Sequence, residues 1–125
     1  MFNEKDLIFA YTRSQAIEDG VLVDVTTTAQ EAGIKYPVAL TRAVWCRYIE
    51  VPEGVECQDE AGRLWDVLSM LAFATRRSRE PGDTLHYQFY VKNDNRRPKL
   101  VTLKAVCGPA DNGAPCITVM EPSED

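Results

Sequence analysis

The most restrictive feature of this chain is a change of hydrophobic period at residues 81–83. Before it, Leu64, Val67, Leu68, Leu71 and Ala74 fall on one stripe at helical spacing, widened by Trp65, Met70 and Phe73. After it, Leu85, Tyr87, Phe89 and Val91 alternate with His86, Gln88, Tyr90 and Lys92, the pattern of a strand buried on one face. Pro81-Gly82-Asp83 marks the turn between the two regimes. The helix is expected over residues 59–77, with Asp59 and Glu60 at its start and Arg76-Arg77 at its end, both complementing the helix dipole.

The alternation continues past the turn-rich segment Asn93–Pro98 into Val101, Leu103, Ala105 and Cys107. A second loop, Gly108–Pro115, carries an Asn-Gly turn signal, and Ile117-Thr118-Val119-Met120 follows as a third strand before an acidic, frayed tail. Helices followed by such a meander predict an α+β domain, with helices packed on one face of a small antiparallel sheet that ends in a C-terminal three-stranded meander. One domain over residues 1–125 is expected, its helical part at about 12–78 and its meander at about 84–121.

The first half is less patterned. Leu7–Tyr11 reads as a short extended segment, Thr12 as the cap of a brief helix over 13–19, and Gly20 as its left-handed end. Val21-Leu22-Val23-Asp24-Val25 is a short strand, and Thr28-Ala29-Gln30-Glu31 fits a capping box whose helical turn ends at Gly33. Tyr36-Pro37 is expected to open a second helix through Tyr48, on the spacing of Leu40, Val44, Trp45 and Tyr48, with a strand as the rival reading.

Composition bounds the class. A chain of 125 residues, 45% hydrophobic and 26% charged, is long enough to bury a core without metal or disulfides. No apolar run approaches the roughly 18 residues of a membrane span, and the mixed charges of Met1–Asp6 do not resemble a secretory signal, so a cytoplasmic setting without membrane contact is expected. Cys46, Cys57, Cys107 and Cys116 lack the close pairing of a zinc site. Cys107 and Cys116 could face each other across a hairpin, but free thiols suit a reducing compartment, with at least Cys46 and Cys107 buried as small apolar side chains.

The net charge of −5 is unevenly distributed. Residues 1–62 hold 11 acids and 5 bases, residues 63–109 hold 4 acids and 9 bases, and residues 110–125 hold 4 acids and no base. Either two electrostatic faces or an intermixed surface is compatible with that division.

Phosphate-loop, dinucleotide, nucleophile-elbow and zinc-protease motifs are all absent, and a single histidine, His86, excludes sites that need two. No catalytic residue, cofactor or metal site is therefore predicted. The candidates for a binding site are Asp24, which interrupts an apolar strand, and Arg42, Arg63, Asp66, Arg96 and Arg97.

Four strings carry a family resemblance: Ala16–Val25, Tyr36–Trp45, Asp59–Leu68 and Asn93–Pro109. They resemble a family of short bacterial proteins catalogued as a domain of unknown function, whose members resemble cargo of plasmids, prophages and integrative elements. The resemblance implies a cytosolic setting and a link to mobile DNA, and supplies no activity. Three readings remain open at this point. The first is a non-enzymatic protein with a protein partner, modulating a defence or DNA-processing complex. The second is single-stranded nucleic-acid binding through the basic segment and the face carrying His86, Tyr90, Lys92, Thr102 and Lys104. The third is an enzyme using Asp24 with Arg42 or His86. Oligomeric state is not readable from the chain.

Overall fold

A computed structural model describes residues 12–78 and 82–124, so the extended reading of Leu7–Tyr11 lies outside the described residues. In chain order the elements are α1 (Arg13–Glu18), β1 (Leu22–Asp24), α2 (Thr26–Glu31), β2 (Val38–Thr41), α3 (Arg42–Val44), a π-helical turn (Trp45–Ile49), α4 (Glu60–Arg77), β3 (Thr84–Val91), β4 (Lys99–Pro109) and β5 (Pro115–Met120). The α+β class and the C-terminal meander are as the sequence predicts.

The strands form one sheet in the order β1-β2-β5-β4-β3. All neighbouring pairs are antiparallel except β2 and β5, where Val38, Ala39 and Leu40 run parallel to Ile117, Thr118 and Val119. The first half of the chain thus adds β1 and β2 to the meander. Its inner face carries Leu40, Val119, Ala105, Leu103, Tyr87 and Phe89. These pack with Val67, Leu68 and Leu71 of α4 and with Val44 and Ile49 into one core. The α4 stripe is buried there because its apolar residues recur at the spacing that keeps them on one side of the helix.

The segment 36–48 corrects the expected single helix. Val38, Ala39 and Leu40 are buried on both faces of a strand that lies between β1 and β5. Such a strand reads as a continuous apolar run without alternation, which is why Leu40 and Val44 imitate helical spacing. The helix starts only at Arg42, where Thr41 Oγ1 accepts from the Val44 N–H.

Capping is also redistributed. Thr12 and Gln15 form the reciprocal capping box of α1, while α2 starts at Thr26 from Val25 without a side-chain cap, so the expected box at Thr28–Glu31 is not formed. Asp111, from the β4–β5 loop, accepts from the Arg13 and Ser14 N–H groups and closes the start of α1 from a distance in sequence. Gly20 and Gly33 follow α1 and α2 with φ of 79° and 96°, the left-handed conformation expected of them.

The cysteines need correction too. Cys46 and Cys57 are exposed, Cys107 is half-buried and Cys116 is buried, all as free thiols. Cys107 stands opposite Ile117 and Cys116 opposite Gly108, so the two sulfurs project from opposite faces of the hairpin and do not meet. The tail is not frayed as far as it is described: Glu124 accepts from Thr41 Oγ1 and the Glu121 N–H, and its carbonyl accepts from Lys104.

One core residue is polar without compensation. The Tyr87 hydroxyl is buried with no hydrogen-bond partner among the described residues, and burial pushes its ionisation far above the usual tyrosine range. An unpaired buried hydroxyl costs on the order of 1–3 kcal/mol. Tyr87→Phe is expected to raise stability by about 1 kcal/mol, read as a higher urea midpoint at an unchanged slope. A lower midpoint would show that the hydroxyl has a partner.

Candidate functional site

The six residues expected to form a binding site do not share a cavity. Asp24 is exposed at the end of β1, where it accepts from the Thr26 N–H and hydroxyl and lines a recess with Arg13, Ser14 and Asp111. Arg42 is exposed and lines a separate recess with Val21, Thr118 and Glu124. Arg96 and Arg97 are exposed in the β3–β4 loop. The structure brings together Arg63 and Asp66, which line a narrow recess with Tyr48, Phe89 and Tyr90.

Those positions remove the enzymatic pairings. Asp24 is on β1 and His86 on β3, the two outer strands of the five-stranded sheet. Four interstrand steps separate such strands by roughly 19 Å at about 4.8 Å each, far beyond proton-transfer distance. Asp24 and Arg42 open into different recesses. Among the described residues no group of three His, Cys, Asp or Glu side chains is placed to hold a metal ion, and no helix is long and apolar enough to cross a membrane.

Arg63 has a structural position. It is only 4% exposed, and it is the buried charged residue of the described core. Its Nε–H donates to the Tyr48 carbonyl (2.6 Å), Nη1 to the Lys92 carbonyl (3.2 Å) and Nη2 to Asn93 Oδ1. Asn93 Nδ2 in turn donates to the Arg47 carbonyl (2.8 Å). The end of a helix leaves carbonyls without intrahelical donors, and in the π-helical turn two of these are taken by Arg63 and Asn93. The cation also sits at the negative end of that turn. Burial lowers the guanidinium pKa from its usual value, and among the described residues no carboxylate forms an ion pair with it. This clasp holds α4 to the π-helical turn and to the end of β3.

What the clasp leaves outside is a group of exposed apolar side chains. Trp65, Met70 and Phe73 of α4, Tyr90 of β3 and Leu100 of β4 are all exposed, at 43%, 39%, 49%, 68% and 51%. Trp65, Asp66, Ser69 and Met70 line a groove of about 530 Å³ against Gln88, Phe89, Tyr90 and Leu100. Phe73 follows Ser69 and Met70 along the same side of the helix and is covered at 5.0 Å by the Arg77 guanidinium, a cation–π contact. The groove runs beside the outer edge of β3, an eight-residue strand with no charged residue. At the other edge, β1 has three residues and ends in Asp24. Short strands and charges are the usual protection of an edge, and β3 has neither.

Of this surface Asp66 was among the six expected site residues, and Tyr90 belonged to the face of the nucleic-acid reading. The signal for the rest was in the sequence: Trp65, Met70 and Phe73 widen the α4 stripe further than one sheet face can cover.

The family of unknown function DUF6573 matches over residues 1–125. The chain belongs to that family. The resemblance seen in Ala16–Val25, Tyr36–Trp45, Asp59–Leu68 and Asn93–Pro109 is therefore to a family whose function is unknown, and Arg63 and Asn93 of the clasp lie within two of those strings. No curated protein and no solved structure matches the chain.

Arg63→Met keeps most of the buried stem and removes every donor of the clasp, leaving the Tyr48 and Lys92 carbonyls unpaired. It is expected to cost about 2–4 kcal/mol in chemical denaturation, with Arg63→Lys recovering only part of the loss. A loss below about 0.5 kcal/mol would mean that water replaces the guanidinium at no penalty.

Proposed function

We propose that this DUF6573 member is a non-enzymatic interaction protein that binds protein through the free edge of β3 and the aromatic side of α4. The observation that carries this reading is the coincidence of two features on one side of the molecule. A strand edge that no other described strand takes offers main-chain hydrogen bonds, and a groove beside it offers pockets for apolar side chains. Strand addition to a sheet edge uses that combination. Trp65 and Tyr90 are the residue types that anchor interfaces, since each presents a large rigid surface with a polar tip. The resemblance to mobile-element cargo supports a setting in which such a protein modulates a bacterial defence or DNA-processing complex.

The test is site-specific photocrosslinking in living cells. A photoreactive residue at Met70, inside the groove, is expected to give a discrete protein adduct. The same residue at Val21, which is equally apolar and exposed but belongs to the opposite edge of the sheet, is expected to give none. No protein adduct at Met70, or equal adducts at both positions, overturns the reading.

A second reading is favoured by the outer face of the sheet. His86, Gln88 and Tyr90 project there with Thr102 and Lys104 on the same face of β4, and the exposed Arg96 and Arg97 lie in the loop joining the two strands, a combination suited to stacking single-stranded bases and contacting phosphates. Anisotropy of a labelled single-stranded oligonucleotide is expected on this reading to rise at low salt and fall steeply with added salt. Absent or salt-independent binding rejects it.

A further inference from the structure

We propose that the strand completing the free edge of β3 belongs to a second copy of this chain, paired antiparallel about Gln88. The proposal rests on the interaction surface above and names its occupant.

The first argument is the direction of the backbone groups. Asp83 and Cys107 stand opposite each other, and the Cys107 N–H donates to the Asp83 carbonyl (2.7 Å). Bonded and non-bonded pairs alternate along an antiparallel ladder. Leu85, Tyr87, Phe89 and Val91 therefore turn their N–H and C=O groups to β4. Thr84, His86, Gln88 and Tyr90 turn theirs to the free edge, where no other described strand takes them. A twofold axis at Gln88 sets Gln88 against Gln88 of the second copy and His86 against Tyr90 of the second copy, all of them residues with outward backbone groups.

The second argument is that α4 has the same centre. Leu71 and Thr75 line a cavity with Thr84 and Leu85, while Trp65 and Asp66 line the groove with Phe89 and Tyr90. The helix thus runs antiparallel to β3, and Ser69, midway along the groove, lies beside Gln88. An axis through the Gln88 pair passes between the two α4 helices at Ser69. Trp65 of each copy then meets Phe73 of the other, burying the aromatic residues that a single copy leaves in water.

The third argument is charge. The first turn of α4 is acidic at Glu60 and its last turn is basic at Arg76 and Arg77. Arg76 lies over Gly33, where a Cβ would approach its guanidinium to 2.6 Å, so Arg77 is the cation on the groove side. Antiparallel α4 helices centred on Ser69 bring Glu60 of one copy to Arg77 of the other, twice. A twofold contact must be complementary to itself, and this helix is.

The experiment is sedimentation equilibrium of the purified full chain across about 1–200 µM. The expected result is a species of twice 14.0 kDa. Gln88→Pro removes an N–H that faces the seam and none that faces β4, and Tyr90→Lys guards the edge. Each is expected to weaken association at least tenfold with an unchanged far-ultraviolet spectrum. Glu60→Arg and Arg77→Glu are each expected to weaken it at low salt and together to restore it, a rescue that general misfolding cannot give. A monomer at all concentrations overturns the proposal, and so does a dimer indifferent to all four substitutions. Amide exchange identifies the alternative occupant: a monomer whose His86, Gln88 and Tyr90 amides are protected has its edge covered by its own chain. If the chain is monomeric while the Met70 probe still captures another protein, the second copy is wrong and the interaction surface stands.

Discussion

The arrangement of this fold depends on a buried cation that makes no ion pair among the described residues. Arg63 reaches from the first turns of α4 to the Tyr48 carbonyl, the Lys92 carbonyl and Asn93, joining three segments that are far apart in sequence. A buried charge without these acceptors would be prohibitive, so the three segments must arrive together for the guanidinium to leave water. Asn93 closes the loop by holding the Arg47 carbonyl. The π-helical turn belongs to the same device: Glu50 donates back five residues to Trp45, and the Arg47 and Tyr48 carbonyls further along are taken by Asn93 and Arg63. The T-shaped contact of Tyr48 with Phe89, at 5.7 Å, packs apolar surface against the polar clasp.

That clasp fixes where α4 sits on the sheet, and the position has a consequence. The helix packs against β3, the last strand of the order, rather than over the middle of the sheet. One side of α4 is therefore carried toward the free edge with nothing from the described residues to cover it. Trp65, Met70 and Phe73 lie away from the side of α4 that carries Val67, Leu68 and Leu71 into the core. Their exposure does not reflect a shortage of apolar area in the core, where Leu68, Leu71 and Leu103 are fully buried.

Legibility differed by element for physical reasons. α4 and the meander were readable because each has one buried face, and a single buried face imposes a period that survives in the sequence. β2 was not, because burial on both faces erases the alternation. The Arg63 clasp was half readable. The residue stood out as a candidate, but an arginine meeting backbone carbonyls leaves no pattern in the partners, since any residue supplies a carbonyl. The Asp111 cap of α1 is hidden in the same way, because its donors are backbone N–H groups 97 and 98 residues away. The groove was visible as excess width of the α4 stripe, and the part that could not be foreseen is that β3 would be the edge.

The uneven charge of the chain resolves into internal wiring more than into faces. The tail acids return to the body: Glu121 pairs with Arg47 at 3.3 Å, and Glu124 binds Thr41 while its carbonyl receives Lys104. Arg13, from the acidic first half, is spent on Thr118 and the Ile117 carbonyl. Within the basic segment, Arg63 is buried, Arg76 lies over Gly33 and Arg77 over Phe73. The cations left exposed near one another are Arg96, Arg97 and Lys99, at the tip of one hairpin. A large uniform basic face is therefore not what the segment builds, and net charge along the sequence is a poor guide to it. What persists at the surface is the polarity of α4 itself, acidic at one end and basic at the other with aromatics between. A surface ordered in that way is complementary to its own reverse, which is the property that a twofold contact requires and a nucleic acid, negative throughout, does not.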